Sequence, residues 1–400
     1  MGARLPDQRR GQRRKEVSEM TAHAKFGASN AKRRINCPGS LAAEAPFPNE
    51  SSPYAELGTA AHEFGEFCLI NGHEDAFAFI GQEHNGHKVD DNMARAVQVY
   101  IDHIRETAAL EPSLCRYEKR FSLDKLDPPM PMFGTADCII YGKESGTLYV
   151  LDYKHGQGVA VEVADNEQLK YYALGAILEI GEKAPVNKVI TVVIQPRASH
   201  PDGPVRSHSY SRDEIMDFGT DLIDAAHASL KPDAPRISGD HCKFCLAAGT
   251  CSALRNNALE VAQDEFGTVR TVNDLTPQEV ADYLQRVPLI EEWIKSLRRH
   301  ANSLLETGGG LPGYKLVEKR PTRRWRVEEE FVAWATEEGL DDDDIYEKKL
   351  KSPPQIERVV GKKNLPASLV IAVSSGTSMV ADTDNRPAVA SLAADDFTVE

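Results

Sequence analysis

Residues 133–154, which read FGTADCIIYGKESGTLYVLDYK, hold two short apolar runs, CIIY and LYVL, on either side of a glycine-containing polar stretch. The pattern predicts two β-strands, Thr135 to Tyr141 and Thr147 to Tyr153, joined by a glycine-containing turn. On either side apolar positions recur with a period between three and four. Leu57, Ala60, Ala61, Phe64 and Cys68 predict a helix from Tyr54 to Leu69, and Met93, Val97, Tyr100, Ile101 and Ile104 predict another from Val89 to Leu110. Leu114 to Leu123 reads as a strand leading into the central pair. Downstream come a helix from Asp165 to Ile180 with Asp165 as its N-cap, a buried strand from Val186 to Gln195 and an edge strand from Val205 to Tyr210. A further helix starts at Ser211, where Glu214 completes a capping box. Helices, antiparallel strands, helix, strand is the order of an α/β core.

The central pair carries the candidate chemistry. Asp137 follows Gly134-Thr135-Ala136 on one strand, and Asp152 follows Tyr149-Val150-Leu151 on the other, with Lys154 two residues on. Residues i and i+2 of a strand share a face, so Asp152 and Lys154 point the same way and Asp137 on the neighbouring strand can join them. Two carboxylates and a lysine at a sheet edge suit a divalent metal that activates water. Taken alone, Asp152 and Lys154 equally fit a solvated charge pair. Glu118 on the preceding strand reads as a surface salt-bridge residue, with an outer role in the acidic site as the alternative.

Composition narrows the classes. The chain has 400 residues, 41% of them hydrophobic, enough for one large domain with an extension or for two domains. It contains no apolar run long enough to cross a membrane, and residues 1–20 are basic and lack the apolar stretch of a secretory signal, so disorder is expected there. A net charge of −14 argues against an overall basic coat but leaves local nucleic-acid contacts open. Seven cysteines without a secretory signal read as reduced thiols or metal ligands. Cys242, Cys245 and Cys251 are spaced C-x2-C-x5-C, three thiols that need a fourth ligand for a closed site. Cys37, at the end of a short helix before Pro38, is the candidate, with His241 as substitute in a zinc site. Cys68, Cys115 and Cys138 fall in apolar patterns and read as core thiols.

After residue 256 the composition changes. Thr276 caps a long helix that Pro288 should interrupt and Gly308-Gly309-Gly310 ends. Tyr314 to Val327 reads as a hairpin in which Lys319, Arg320, Arg323, Arg324 and Arg326 surround Trp325, a set suited to phosphate contact and base stacking and equally to a solvated ribbon. The expected division is a basic N-terminus over 1–20, a core over 21–256, an α+β extension over 257–370 and a flexible tail over 371–400.

The succession G-x-x-D, hairpin, D-x-K resembles the active-site core of the PD-(D/E)xK nucleases. Gly58-Thr59-Ala60-Ala61-His62-Glu63 upstream and Gln168-x-x-x-Tyr172 downstream are similar to the flanking motifs of RecB-like members, and the bracketing cysteines to the iron–sulfur staple of AddB-type and CRISPR-adaptation nucleases. The likeness covers roughly Thr21 to Asn256, and the chain as a whole looks like a phage and prophage family within that superfamily. The resemblance implies a restriction-endonuclease-like fold, a central mixed sheet flanked by helices. It implies that His62, Asp137, Asp152 and the Tyr153 carbonyl hold Mg2+ or Mn2+, that Lys154 orients or deprotonates water, and that Gln168 and Tyr172 position the strand. Imidazole at His62 favours Mn2+. Cys37, Cys242, Cys245 and Cys251 would hold a 4Fe–4S cluster, with zinc as the alternative. The implied activity is DNA exonuclease, on single strands or duplex ends, in a bacterial cytoplasm beside a phage helicase, polymerase or single-strand-binding protein. The alternatives are an inactive nucleic-acid-binding accessory and a zinc-stapled structural protein.

Overall fold

A computed structural model describes residues 24–48, 52–180, 184–266, 276–317, 328–346, 356 and 366–370. The chain divides into two compact units, Met1–Pro312 and Gly313–Glu400. The first is built on a five-stranded sheet whose strands lie in chain order: β1 (Ser113–Ser122), β2 (Phe133–Gly142), β3 (Thr147–Tyr153), β4 (Lys188–Ile194) and β5 (Val205–Ser211). Neighbours pair antiparallel except β3 and β4, which run parallel because a helix carries the chain back between them. The two-residue strands Glu83–His84 and His87–Lys88 form a separate ribbon.

The helices of this unit are α1 (Ala31–Asn36), α2 (Ser40–Glu44), α3 (Pro53–Ile70), α4 (Asp91–Ala108), α5 (Glu167–Ile180), α6 (Arg212–Ser229), α7 (Ser252–Phe266) and α8 (Pro277–Glu306). Alternation along β3 separates two cores. Leu148 and Val150 face one side, with Leu169, Tyr172 and Ala176 of α5 and Leu222 of α6. Leu151 and Tyr153 face the other, with Phe64 of α3 and Val97 and Tyr100 of α4. Asp152 shares the parity of Leu148 and Val150 and so points toward α5.

Most expected elements lie within a few residues of their observed limits, and three details differ. Asn166, not Asp165, caps α5: its Oδ1 accepts from the backbone N–H groups of Gln168 (3.1 Å) and Leu169 (3.2 Å). Asp165 instead adopts a left-handed backbone (φ 50°) and pairs with Lys170 at 2.8 Å. Pro288 does not interrupt α8, which runs through it. The carbonyl left unpaired by the missing N–H belongs to Leu284, an exposed position where water can serve it. α8 packs back on the cysteine-bearing segment within the first unit, where a Cβ on Gly249 would lie 2.7 Å from the Ser296 carbonyl oxygen.

The second unit contains helices Glu328–Glu337 and Asp342–Ile345, with Ala335 buried. The expected basic hairpin, including Lys319, Arg320, Arg323, Arg324, Trp325 and Arg326, lies outside the described residues, as do most of the expected helical stretch after Ile345 and both termini.

One close approach tests the packing of α5 on the sheet. A Cβ on Gly175 would sit 2.6 Å from the Phe121 Cβ. Gly175→Ala should therefore destabilise the fold by about 1–3 kcal/mol through overpacking, outweighing the roughly 1 kcal/mol that alanine gains inside a helix. Urea denaturation measures this, and an unchanged or raised midpoint would show that the contact relaxes freely.

Candidate active site

The site forms where β2 and β3 part. Their ladder runs from Tyr141 opposite Leu148 to Cys138 opposite Leu151 and stops there. One residue further, the Asp137 side chain fills the gap, and its Oδ2 accepts a 2.7 Å hydrogen bond from the Tyr153 backbone N–H. The N–H and C=O of a strand residue leave toward the same neighbour, so the Tyr153 carbonyl faces this gap as well. On the other side of β2, Tyr117 pairs with Cys138 and Lys119 with Ala136, which sets Glu118 across from Asp137. The ladder is interrupted at that point, and Glu118 takes a left-handed backbone (φ 43°), a costly conformation for a glutamate. His62 enters from α3: its Nδ1 lies 3.5 Å from Asp137 Oδ1 and 3.9 Å from Glu118 Oε1. The ligand atoms of His62, Glu118 and Asp137 all fall within 4.8 Å of one another. The His62 ring meets Tyr153 edge-on at 5.3 Å, and the Tyr153 hydroxyl lies 2.7 Å from His155 Nδ1.

A second set of contacts runs from β3 to α5. Asp152 is 2% exposed. The Lys154 ammonium donates to its Oδ1 at 3.1 Å and lies 2.9 Å from Oδ2, too poorly aligned there for a hydrogen bond, so Oδ2 is buried without one. The same ammonium donates to Gln168 Oε1 at 3.1 Å, and Gln168 Nε2 donates to the Tyr172 hydroxyl at 2.9 Å. Gln168 and Tyr172 reach together because they stand one helical turn apart. Gly134 makes room for them: a Cβ there would lie 3.0 Å from the Tyr172 ring.

These groups crowd negative charge into poorly solvated space. Burial, reinforced by Asp137, pushes the Glu118 carboxyl up to about 8. Burial also raises Asp137, with His62 opposing and Asp152 adding to the rise. Burial alone would discharge Lys154, but Asp152 and Asp137 outweigh it and hold the ammonium charged. Oxygen donors with one imidazole are a donor set that fits a divalent cation of the Mg2+ or Mn2+ type.

The four predicted cysteines also meet. Cys37, at the end of α1, and Cys242, Cys245 and Cys251 line one small cavity. All four are free thiols. The Ile237 backbone N–H donates to Cys37 Sγ at 3.3 Å across some two hundred residues of sequence. Burial pushes Cys245 up to about 12, with Glu44 reinforcing, and also raises Cys242. His241 lies on the same wall, but its Nε2 is 2.8 Å from the Ile237 carbonyl oxygen. Cys68 and Cys138 are buried in the sheet core and Cys115 lies half-buried beside it, as their apolar settings suggest.

Glu118 and His155 are the residues that sequence patterning undervalued. No charged residue beside Glu118 signals the turn of its backbone toward Asp137. For His155 the available signal was its i+2 spacing from Tyr153.

Fold and site together define a mixed α/β protein with a central five-stranded sheet flanked by helices and an acidic cluster at the opening between two strands. The chain belongs to the family described as "Protein of unknown function (DUF2800)", whose profile matches residues 23–387. Among solved structures, one titled "Crystal structure of SSO0001" is 16% identical with a TM-score of 0.23, and the match covers 56% of this chain and 94% of that one. No helix among the described residues is long and apolar enough to cross a membrane.

The raised Glu118 value has a measurable consequence in metal-free protein. The folded state binds more protons than the unfolded state between the two pKa values, so this group's contribution to folding is complete below about 4.5 and is lost as pH rises toward about 8. Melting temperature should fall across that interval, and Glu118→Gln should flatten the fall. Parallel profiles for the two proteins would remove Glu118 as its source.

Proposed function

We propose that this protein is a metal-dependent DNA nuclease of the RecB-like PD-(D/E)xK type, acting as an exonuclease and carrying an iron–sulfur staple. The observation that carries the reading is that two sets of contacts meet at Tyr153: Asp137, with His62 beside it, accepts from the Tyr153 N–H, and the Asp152–Lys154 pair on either side of Tyr153 leads to Gln168 and Tyr172. Those residues come from four separate motifs, and a solvated charge pair would need none of the others.

His62, Asp137, Asp152 and the Tyr153 carbonyl would hold Mg2+ or Mn2+, with Glu118 close enough to join them. A divalent ion bound there supplies positive charge at the phosphate and lowers the pKa of attacking water. Lys154, held charged between Asp152 and Gln168, stabilises the charge that develops on the phosphoryl oxygens; this ammonium favours charge stabilisation over deprotonation of water. Gln168 fixes the ammonium and the Tyr172 hydroxyl at once, which keeps both oriented. The basic segment from Lys319 to Arg326 would add phosphate contacts along the strand.

The cysteine cavity fits a metal group by its donors: four thiols meet in one buried, otherwise apolar space. A single zinc ion with Zn–S bonds of about 2.3 Å draws its thiolates to within about 3.8 Å of each other. A 4Fe–4S cluster, which holds its four thiolates further apart, is the proposed occupant, with a single zinc ion as the alternative.

Asp137→Asn tests the catalytic reading, because asparagine can still accept the Tyr153 N–H while losing the charge. Mg2+- or Mn2+-dependent DNA cleavage should fall by roughly 100-fold or more, and Lys154→Met should do the same. Full activity in both variants, purified free of contaminating nuclease, would sink the assignment. The staple is tested separately by metal content after anaerobic purification. Cys37→Ser should lose iron as completely as Cys245→Ser, whereas Cys68→Ala should retain it, and retention by the Cys37 variant would remove that residue from the ligand set.

A further inference from the structure

Beside the cysteine cavity lies a charge cluster that contains no sulfur. Glu44, the last residue of α2, is 6% exposed. Its Oε2 lies 2.6 Å from Arg34 Nη1 and its Oε1 3.1 Å from Arg33 Nε, both from α1. The same Oε1 accepts a 2.8 Å hydrogen bond from the Leu246 backbone N–H, 202 residues further along the chain. Arg33 adds a second tie to that loop by donating from Nη1 to the Phe244 carbonyl at 3.1 Å. Phe244 and Leu246 flank Cys245 directly. Arg34 is anchored in turn by Ser40 Oγ (2.8 Å) and the Lys25 carbonyl (3.1 Å).

The carboxylate thus joins the helix that presents Cys37 to the loop that presents Cys242, Cys245 and Cys251. A buried ion pair of this kind gives little net stability, and its best-attested use is to fix one geometry among several. None of these contacts uses a cysteine side chain. A loop ordered in advance also spares the binding step the cost of ordering it.

We infer that Glu44 is a positioning residue that docks the Cys242–Cys251 loop on the Cys37 helix before metal enters, and so sets how tightly the cavity retains its metal group. The inference rests on the reading that the four thiols hold a metal, and it concerns a residue that is not itself a ligand.

Two measurements on the full chain test it. In reduced, metal-free wild-type protein the Leu246 amide should be protected from hydrogen exchange, and in Glu44→Gln, whose uncharged amide no longer holds both arginines, the protection should drop. In metal-loaded protein, with iron–sulfur reconstituted or Zn2+ alone added, release to a chelator should be about 10–100-fold faster in Glu44→Gln. Ile140→Val, a sheet-core change remote from the cavity, supplies the control for general destabilisation and should release metal at the wild-type rate. Should Glu44→Gln fail to fold, Arg33→Met keeps the Glu44 contacts to Arg34 and Leu246, removes the Arg33–Glu44 pair and the tie to Phe244, and should still speed release. Free exchange of the Leu246 amide in metal-free wild type, or release from Glu44→Gln no faster than from Ile140→Val, would overturn the inference. A wild-type chain that takes up neither iron nor zinc would instead overturn the staple reading, and the amide exchange would still decide the docking role.

Discussion

The hydrogen bond from the Tyr153 N–H to Asp137 Oδ2 is the interaction on which the rest of the site depends. Where two strands separate, backbone groups on the facing edges lose their ladder partners, and leaving a buried N–H unpaired costs about 1–3 kcal/mol. Asp137 satisfies that amide with a side chain, so the sheet can open without an orphan donor. The same bond fixes the carboxylate at the opening, with its second oxygen toward His62. The strands therefore part at a defined residue, and the acidic cluster arises from the manner in which the sheet ends.

That opening concentrates more negative charge than its protein partners neutralise. Lys154 is committed to Asp152 and Gln168, and His62 is shared between Asp137 and Glu118. Burial, with this crowding added to it, raises the carboxyls of both Glu118 and Asp137. Proteins seldom leave such crowding without a counter-charge. The left-handed backbone at Glu118 points the same way, since strain of this kind persists where the surroundings demand one side-chain position.

Much of this was legible in the sequence, for reasons that can be named. Asp152 and Lys154 share a face because strands have a period of two, and Gln168 and Tyr172 share one because helices nearly repeat every four residues. Cys37 could be nominated because three clustered thiols lacked a fourth. Glu118 was not legible in the same way: its relation to Asp137 depends on the β1–β2 register and on a backbone reversal that no neighbouring glycine or asparagine announces. Asp165 and Asn166 are both good caps by type, and only the turn of the chain, which leaves Asp165 left-handed, decides between them. Glu44 stood outside any motif, since its partners lie on two segments some two hundred residues apart.

The cysteine cavity and the acidic cluster are joined by one short stretch of chain. Cys37 ends α1, and the residues just before that helix run under the cluster. Phe26 is fully buried in the core shared by β2 and α5, and its carbonyl accepts a hydrogen bond from the Tyr171 hydroxyl at 3.2 Å. Ala28 approaches Gly134 so closely that a Cβ on that glycine would lie 3.2 Å from the Ala28 Cβ, on the side where the Tyr172 ring also rests. The hydrogen bond from the Ile237 N–H to Cys37 Sγ ties the end of α1 to a segment two hundred residues downstream, and with it the residues beneath Tyr172. Closing so long a loop costs chain entropy that grows only slowly with its length. An N-terminal segment too short to form a core of its own is thereby kept where α5 needs it, and the position of Tyr172 depends on a joint at the far end of that segment.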